Sequence, residues 1–88
     1  MDLQLFAEND IPKQSSISLK RGISSFQRRI AEHEAYIQDP KSHCPDWESK
    51  NEYEKKGLIR HWKKEIGTFE RSIEERIDEL KKRGEWNE

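Results

Sequence analysis

The sequence predicts an all-α fold, a two-helix antiparallel hairpin of the coiled-coil type with an extended N-terminal arm. Two stretches of apolar residues recur at helical spacing, and a short connector containing Pro40 and Pro45 separates them. Nothing in the 88 residues shows the apolar and polar alternation that marks a strand. We therefore divide the chain into an arm over residues 1–16, a helical hairpin over residues 17–84 and a tail over residues 85–88.

The first helix is predicted over residues 17–38. A serine among residues 15–18 can cap its start, because a serine hydroxyl accepts a hydrogen bond from an N–H group of the first turn. Gly22 is an interior weak point that costs about 1 kcal/mol relative to alanine. Pro40 ends the helix, because proline has no N–H and disfavours helical geometry at Asp39. The residues of its stripe, at steps of three and four, are Leu19, Ile23, Phe26, Ile30, His33 and Ile37.

The second helix is predicted over residues 49–83. The series from Ser49 to Glu52 has the pattern of a capping box, with Ser49 as the N-cap and Glu52 as the third helical residue. Basic residues at 81–83 suit the negative end of the helix dipole, and Gly84 is a typical stop residue. The residues of its apolar stripe are Ile59, Trp62, Ile66, Phe69, Ile73, Ile77 and Leu80.

The composition limits how large a core the chain can build. Charged residues make up 40% of it and hydrophobic residues 31%, while the net charge is only −1. No apolar run approaches the roughly 20 residues that span a bilayer, and a single cysteine cannot form an internal disulfide. The start of the chain lacks the pattern of a secretory signal. We therefore expect a cytoplasmic protein with a thin core and no membrane association.

The two stripes align in an antiparallel register. The predicted pairs are Ile30 with Ile59, Phe26 with Trp62, Ile23 with Ile66, and Leu19 with Phe69. Charges support this alignment, because the basic stretch 13–29 then lies opposite the acidic stretch 65–79. An exposed pair contributes at most about 1 kcal/mol, so its effect is on the choice of register more than on stability.

In this register the second helix is longer than the first. Ile73, Ile77 and Leu80 are left without partners, and three arrangements would cover them. The arm could fold back through Ile11 and the apolar residues before it, a second copy could complete a four-helix bundle, or another protein could dock there. We favour self-association or docking. The predicted protein-binding residues are Leu3, Leu5, Phe6, Ile73, Ile77, Leu80 and Trp86.

The residue types that carry chemistry in other proteins form no catalytic or metal-binding pattern. His33, His43, Cys44 and His61 have no CxxC or HxxxH spacing, and zinc needs about four converging ligands. Cys44 lies beside His43 in sequence, but such adjacency does not indicate a catalytic pair. A two-helix hairpin also encloses no pocket. We predict no enzyme activity, no metal and no cofactor.

Basic residues come together in the predicted register. Arg28 and Arg29 of the first helix lie near Arg60, Lys63 and Lys64 of the second. Such a patch suits an acidic protein partner or the phosphates of a nucleic acid. Neighbouring glutamates and the net charge of −1 argue against a nucleic acid, which we keep as the third alternative.

The opening Met1-Asp2-Leu3-Gln4-Leu5-Phe6-Ala7 resembles the start of many structural gene products of tailed phages of Gram-positive bacteria. Segments 18–21, 30–34, 45–47, 57–66 and 77–84 are similar to a small protein family encoded near the head-morphogenesis genes of such phages and prophages. The resemblance covers nearly the whole chain. It implies a role in head assembly, or as an accessory that guards a neighbouring product, and it implies no catalytic residue.

Together these observations predict a non-enzymatic helical protein-interaction module of phage or prophage origin. It would act with head or other structural components, in the bacterial cytoplasm or in the virion, or by self-association as a homo-oligomer. The second hypothesis is a small inhibitor of the anti-defence or immunity type, which blocks a host or phage-encoded enzyme. The acidic residues assigned to that role are Glu70, Glu74, Glu75, Asp78 and Glu79. The third hypothesis is a nucleic-acid-binding accessory.

Overall fold

The computed structural model describes residues 11–86, and within that range the chain contains helices and turns but no strand. Two long helices, α1 (Ser16–Gln38) and α3 (Glu52–Lys82), pack against each other. The short helix α2 (Pro40–His43) and a 3-10 turn (Trp47–Ser49) lie between them. The all-α prediction is confirmed. None of these helices is long and apolar enough to cross a membrane.

Helix α1 agrees with its predicted bounds to within one residue. The Ser15 hydroxyl accepts a hydrogen bond from the Ser18 N–H at 3.1 Å, which caps the first turn. At the other end the Asp39 N–H donates to the Ala35 carbonyl. Pro40 then begins α2, because the first turn of a helix does not use the N–H that proline lacks.

Helix α3 begins three residues later than predicted, because a different capping box is used. Asn51 Oδ1 accepts from the Glu54 N–H at 2.8 Å, and Glu54 Oε1 accepts from the Asn51 N–H at 3.1 Å. Serine and asparagine are equally good N-caps, so the sequence contains two overlapping boxes. The predicted cap, Ser49, is instead the last residue of the 3-10 turn.

The end of α3 is closed by a Schellman motif. Gly84 has a φ of 72°, in the left-handed region where glycine carries no steric cost. This conformation lets the Glu85 N–H donate to the Leu80 carbonyl at 2.9 Å, and the Gly84 N–H donate to the Lys81 carbonyl at 3.0 Å. The predicted stop residue is therefore confirmed.

Helices α1 and α3 run antiparallel, but the predicted register is wrong. The ring of Trp62 lies 5.6 Å from that of Tyr36, where the stripe and charge alignment placed Phe26. Phe26 instead lies 5.8 Å from Phe69. The helices are displaced by roughly two to three turns at 3.6 residues per turn.

The connector explains this displacement. His43 at the end of α2 stacks on Tyr36 with ring centroids 3.8 Å apart, and Trp47 lies 6.2 Å from Trp62. These contacts hold the connector beside the first turns of α3, which extend past the end of α1. Aromatic pairs contribute about 0.5–1.5 kcal/mol beyond their buried area, whereas exposed ion pairs contribute at most about 1 kcal/mol. Packing therefore decides the register against the charge blocks.

The α1–α3 interface has an aromatic half near the connector and an aliphatic half at the open end. The rings that contact one another in the aromatic half are Trp47, Trp62, Tyr36, His43, His33, Phe69 and Phe26. In the aliphatic half Leu19 and Leu80 are fully buried, and Ile11 and Ile23 complete the cluster. We call these four residues the open-end cluster.

The predicted overhang of the second helix does not exist. Leu80 belongs to the open-end cluster with Leu19 of α1, and Ile73 and Ile77 pack against that cluster. The expectation that these residues lack partners on the first helix is therefore wrong. The displaced register brings the end of α3 level with the start of α1, which supplies the missing contacts.

Part of the predicted arm is also folded. A 3-10 turn occupies Ile11–Lys13, and Ile11 is buried at 7% exposure in the open-end cluster. Arg83 ties this turn to α3, because its Nη2 donates to the Pro12 carbonyl at 3.0 Å. The arm thus covers the open end of the hairpin through Ile11. The predicted contact residues Leu3, Leu5 and Phe6 lie outside the described residues.

Candidate interaction surface

The contact seam of α3 coincides with the predicted apolar stripe at Trp62, Phe69 and Leu80 and lies one residue before it elsewhere. Its buried residues are Trp62, Ser72, Arg76 and Leu80. Between them Phe69 contacts Phe26, and Glu65 contacts His33. Residues 62, 65, 69, 72 and 76 follow heptad steps. Because glutamate, serine and arginine occupy three of these positions, a search for apolar periodicity selects the isoleucine that follows each of them instead.

Gly22 makes room for the arginine of this seam. A Cβ atom at residue 22 would lie 3.0 Å from Arg76 Nε and 3.3 Å from its Cδ. The same side chain donates from Nη1 to the Ser72 carbonyl at 3.0 Å, and its guanidinium lies 4.9 Å from the centroid of the Phe26 ring. Gly22 therefore has a packing role that its low helix propensity does not suggest.

The isoleucines of the two predicted stripes form a second apolar surface beside the seam. On α3 Ile66 follows the seam residue Glu65, and on α1 Ile37 follows the seam residue Tyr36. In an antiparallel pair of helices, the residues that directly follow seam residues lie on the same side of the pair in both helices. Further isoleucines occur seven residues away on each helix. We call the set the isoleucine face: Ile23, Ile30, Ile37, Ile59, Ile66 and Ile73.

The isoleucine face is only half covered. Ile23 is buried at 4% exposure, and the other five isoleucines are half-buried. At one end Ile73 packs against the open-end cluster. At the other end Ile59 lines a shallow depression together with Lys56 and Lys63. Apolar side chains that are grouped on one surface and only partly covered are typical of an interaction site.

The residues that flank the seam on its opposite side are polar. Residues one position before the seam contacts are all exposed: Ser25, Glu32, His61, Thr68 and Glu75. The two sides therefore differ in chemistry over the same length of α1 and α3. Of the two sides, the isoleucine face is the one that can bury apolar area against a partner.

Trp86 and the residues around it belong to the open end. Trp86 is half-buried and packs against the open-end cluster, as Ile73 and Ile77 do. Ile77, Asp78 and Trp86 also line one surface depression. The structure therefore brings together the part of the predicted protein-binding set that it describes.

The displaced register separates the predicted basic patch into two parts. Trp62 contacts Tyr36. Arg60 lies two residues before Trp62, and Arg28 lies eight residues before Tyr36. The two arginines are therefore about 15 Å apart along the hairpin at 1.5 Å per residue. Arg28 and Arg29 line one depression on α1, and Arg60 and Lys63 line another beside Ile59, while Lys64 is exposed.

The acidic residues of the inhibitor hypothesis lie along α3. Four of them are exposed: Glu70, Glu74, Glu75 and Asp78. The fifth, Glu79, accepts a hydrogen bond from Arg83 Nε at 2.9 Å on the same helix. The exposed set can meet a basic surface, whereas Glu79 already has a partner.

The histidines and the cysteine are spread over different contacts. Among residues 11–86, no group of three or more His, Cys, Asp and Glu side chains could hold a metal ion. His33 is 2.7 Å from Glu65 Oε1 through Nε2 and 2.8 Å from the Arg29 carbonyl through Nδ1. His33 therefore joins the Glu65 carboxylate of α3 to the backbone of α1. Cys44 is a half-buried free thiol.

Comparison with known proteins places the chain in no family. No family model, no curated protein and no solved structure matches it.

Proposed function

We propose that this chain is a helical protein-interaction module without catalytic activity, and that it acts through the isoleucine face. One observation carries the proposal: both long helices have half-buried isoleucines on one side of the hairpin, while the opposite side carries exposed polar residues. Such a surface excludes water when a second apolar surface covers it, which is the main favourable term in most protein association.

The shape of the face suits a helical partner. Ile59 and Ile73 are separated by four helical turns, about 21 Å at 1.5 Å per residue. An apolar face of this length on two helices suits a third helix that presents apolar residues at successive turns. Lys56 and Lys63 lie beside the isoleucine face near Ile59 and favour a partner with acidic residues at that end.

The resemblance in sequence supports a phage or prophage origin for the module. The corresponding partners are head or other structural components of the phage, met in the bacterial cytoplasm or in the virion. Self-association through the same face is the other use of such a surface. None of these partners requires a residue to act chemically.

The exposed acidic row supports a second candidate function. Glu70, Glu74 and Asp78 recur every four residues, so they lie on one face of α3. A row of carboxylates can cover the basic substrate site of an enzyme, as in the inhibitor hypothesis. This function predicts that reversing the charge of the acidic row abolishes binding, and that substitutions in the isoleucine face do not.

Two charge substitutions on neighbouring residues test the main proposal. Ile66→Glu places a carboxylate in the centre of the isoleucine face, whereas Thr68→Glu places one on the polar side, at an exposed residue of the same helix. Tagged wild-type and variant chains are used to capture proteins from cells with the phage or prophage induced. Bound proteins are identified by mass spectrometry, and circular dichroism checks that each chain is helical.

We expect the wild type and Thr68→Glu to capture the same protein and Ile66→Glu to lose it. Equal capture by all three chains would contradict the use of the isoleucine face. A further variant, Glu74→Lys, separates the second candidate. If it alone loses an enzyme that the other chains capture, the inhibitor function replaces the first proposal.

A further inference from the structure

We infer that the partner that covers the isoleucine face is a second copy of this chain, so that two hairpins form a four-helix bundle. The inference rests on the proposed function and names the occupant of the same surface. It is carried by the symmetry of the face, by the charges along its edges and by the small core of the single hairpin.

The two rows of the face are centred at nearly the same height. The contact between His33 and Glu65 fixes the heights of the two helices. Ile30 lies three residues before His33, and Ile66 lies one residue after Glu65, so they differ by about 3 Å at 1.5 Å per residue. Steps of seven residues then place Ile23 level with Ile73, and Ile37 level with Ile59. The positions of the six isoleucines are therefore symmetrical about the midpoint between Ile30 and Ile66, and Ile23 is the one among them that the open-end cluster already covers.

A surface with this symmetry is complementary to itself. In a two-fold dimer the same patch is used by both subunits, so every contact occurs twice. A two-fold axis through the midpoint of the face places isoleucine against isoleucine in two orientations. In one of them Ile66 meets the partner's Ile66, and in the other it meets the partner's Ile30.

The charged residues beside the face agree with both orientations. Lys63 lies four residues after Ile59 on the α3 edge, and Glu70 lies four residues after Ile66 on the same edge. Glu34 occupies the matching position on the α1 edge. All three charged side chains are exposed. In the first orientation Lys63 lies opposite the partner's Glu70, and in the second it lies opposite the partner's Glu34, so opposite charges meet in either case.

The single hairpin also has a small core. Among the described residues only five hydrophobic side chains are buried: Ile11, Leu19, Ile23, Trp62 and Leu80. A small hydrophobic core supplies little stability, and oligomerisation is one of the ways in which small proteins supplement it. A dimer would bury five half-exposed isoleucines from each copy, which matches the need for further apolar burial.

Sedimentation equilibrium at micromolar concentration tests the inference on the full-length chain. We expect the wild type to have twice the 10.6 kDa mass of one chain. Ile66→Glu should sediment as a monomer, and so should Ile30→Glu. Their matched controls, Thr68→Glu and Ala31→Glu, add the same charge at exposed neighbouring residues and should remain dimeric.

A cross-linking measurement covers the case in which the glutamate variants do not fold. In a Cys44→Ser background, Ile66→Cys alone or mixed with Ile30→Cys should form a disulfide-linked dimer on mild oxidation, and Thr68→Cys should not. Equal cross-linking at Thr68 would overturn the inference, because it would show random collision.

A folded, monomeric wild type overturns the inference but not the proposed function, provided that Ile66→Glu still loses a protein that Thr68→Glu captures. The inference is also overturned if the wild type is a monomer and the combined substitutions Leu5→Asp and Phe6→Asp lower its midpoint of unfolding. That result would show that the first ten residues cover the face. If the wild type is a dimer, and Ile66→Glu and Thr68→Glu capture the same other proteins, the second copy is supported. Docking of another protein on this face is then excluded.

Discussion

Arg76 of α3 lies across the backbone of Gly22 in α1, so closely that a Cβ atom at residue 22 would be 3.0 Å from the arginine Nε. Arg76 is buried at 5% exposure, and its guanidinium lies over Phe26, 4.9 Å from the ring centroid. A buried arginine with a long side chain needs a place on the opposite helix without a side chain. Gly22 supplies that place, and the pair therefore helps to define the register of the hairpin.

Gly22→Leu should destabilise the protein by up to about 2 kcal/mol. Overpacking against the arginine costs about 1–3 kcal/mol, and the gain in helix propensity offsets only about 0.8 kcal/mol of that. The matched control is Gly57→Leu, at an exposed helical glycine whose Cβ would meet nothing within 4 Å. That variant should gain stability. Urea unfolding measures both, and a gain in stability for Gly22→Leu would contradict the packing role.

Leu80→Ala should cost about 2–5 kcal/mol, as expected for removing a fully buried leucine side chain. Ile17→Ala is the control, because Ile17 is 65% exposed at the start of α1 and its truncation should change stability by no more than about 0.5 kcal/mol. Equal, small losses of stability in the two variants would show that Leu80 lacks a partner on α1, as the sequence predicted. Chemical denaturation followed by circular dichroism gives both values.

Asn51→Ala should lower stability by about 1 kcal/mol, because it removes the side chain that accepts from the Glu54 N–H. Ser49→Ala should have little effect, since Ser49 does not cap α3. The reverse order of the two losses would show that the capping box predicted from the sequence is the one that operates. The midpoints of thermal unfolding are sufficient to rank the variants.

The exposed ion pair between Lys41 and Glu48 should be visible in a proton titration. Their side chains are 2.9 Å apart, and the hydrogen bond from Lys41 lowers the pKa of Glu48 below its ordinary value. The same contact raises the pKa of Lys41. Carbon-detected NMR of the Glu48 carboxyl should give a higher pKa in Lys41→Gln than in the wild type, with Lys64→Gln as the unchanged control.

The sign of the linkage follows from the direction of these shifts. Because the pKa of Glu48 is lowered on folding, its contribution to stability is present above the ordinary glutamate pKa and is lost as the pH falls through the folded value. For Lys41, whose pKa is raised, the contribution is lost only at high pH, as the pH rises through the folded value. Both effects should be small, because the pair is exposed to solvent. An identical Glu48 titration in wild type and Lys41→Gln would contradict the contact.

The candidate surface was predictable only in part. Ile59, Ile66 and Ile73 stand out in the sequence as an apolar stripe, and they are indeed apolar and partly buried. Their position beside the seam was not predictable, because hydrophobic periodicity cannot recognise a seam that contains Ser72 and Arg76. A polar residue joins a seam when a partner such as Gly22 leaves it space, and that partner lies on the other helix.

By itself the sequence determined that the chain is helical, where α1 and α3 lie to within about three residues, and how α3 ends at Gly84. These features depend on caps, prolines and spacing, which act over a few neighbouring residues. The tertiary structure alone decided the register, the folding of the connector over Trp62 and the place of Leu80 in the core. Those features depend on contacts between residues far apart in sequence, where aromatic packing and buried volume outweigh the exposed charges that the sequence displays most clearly.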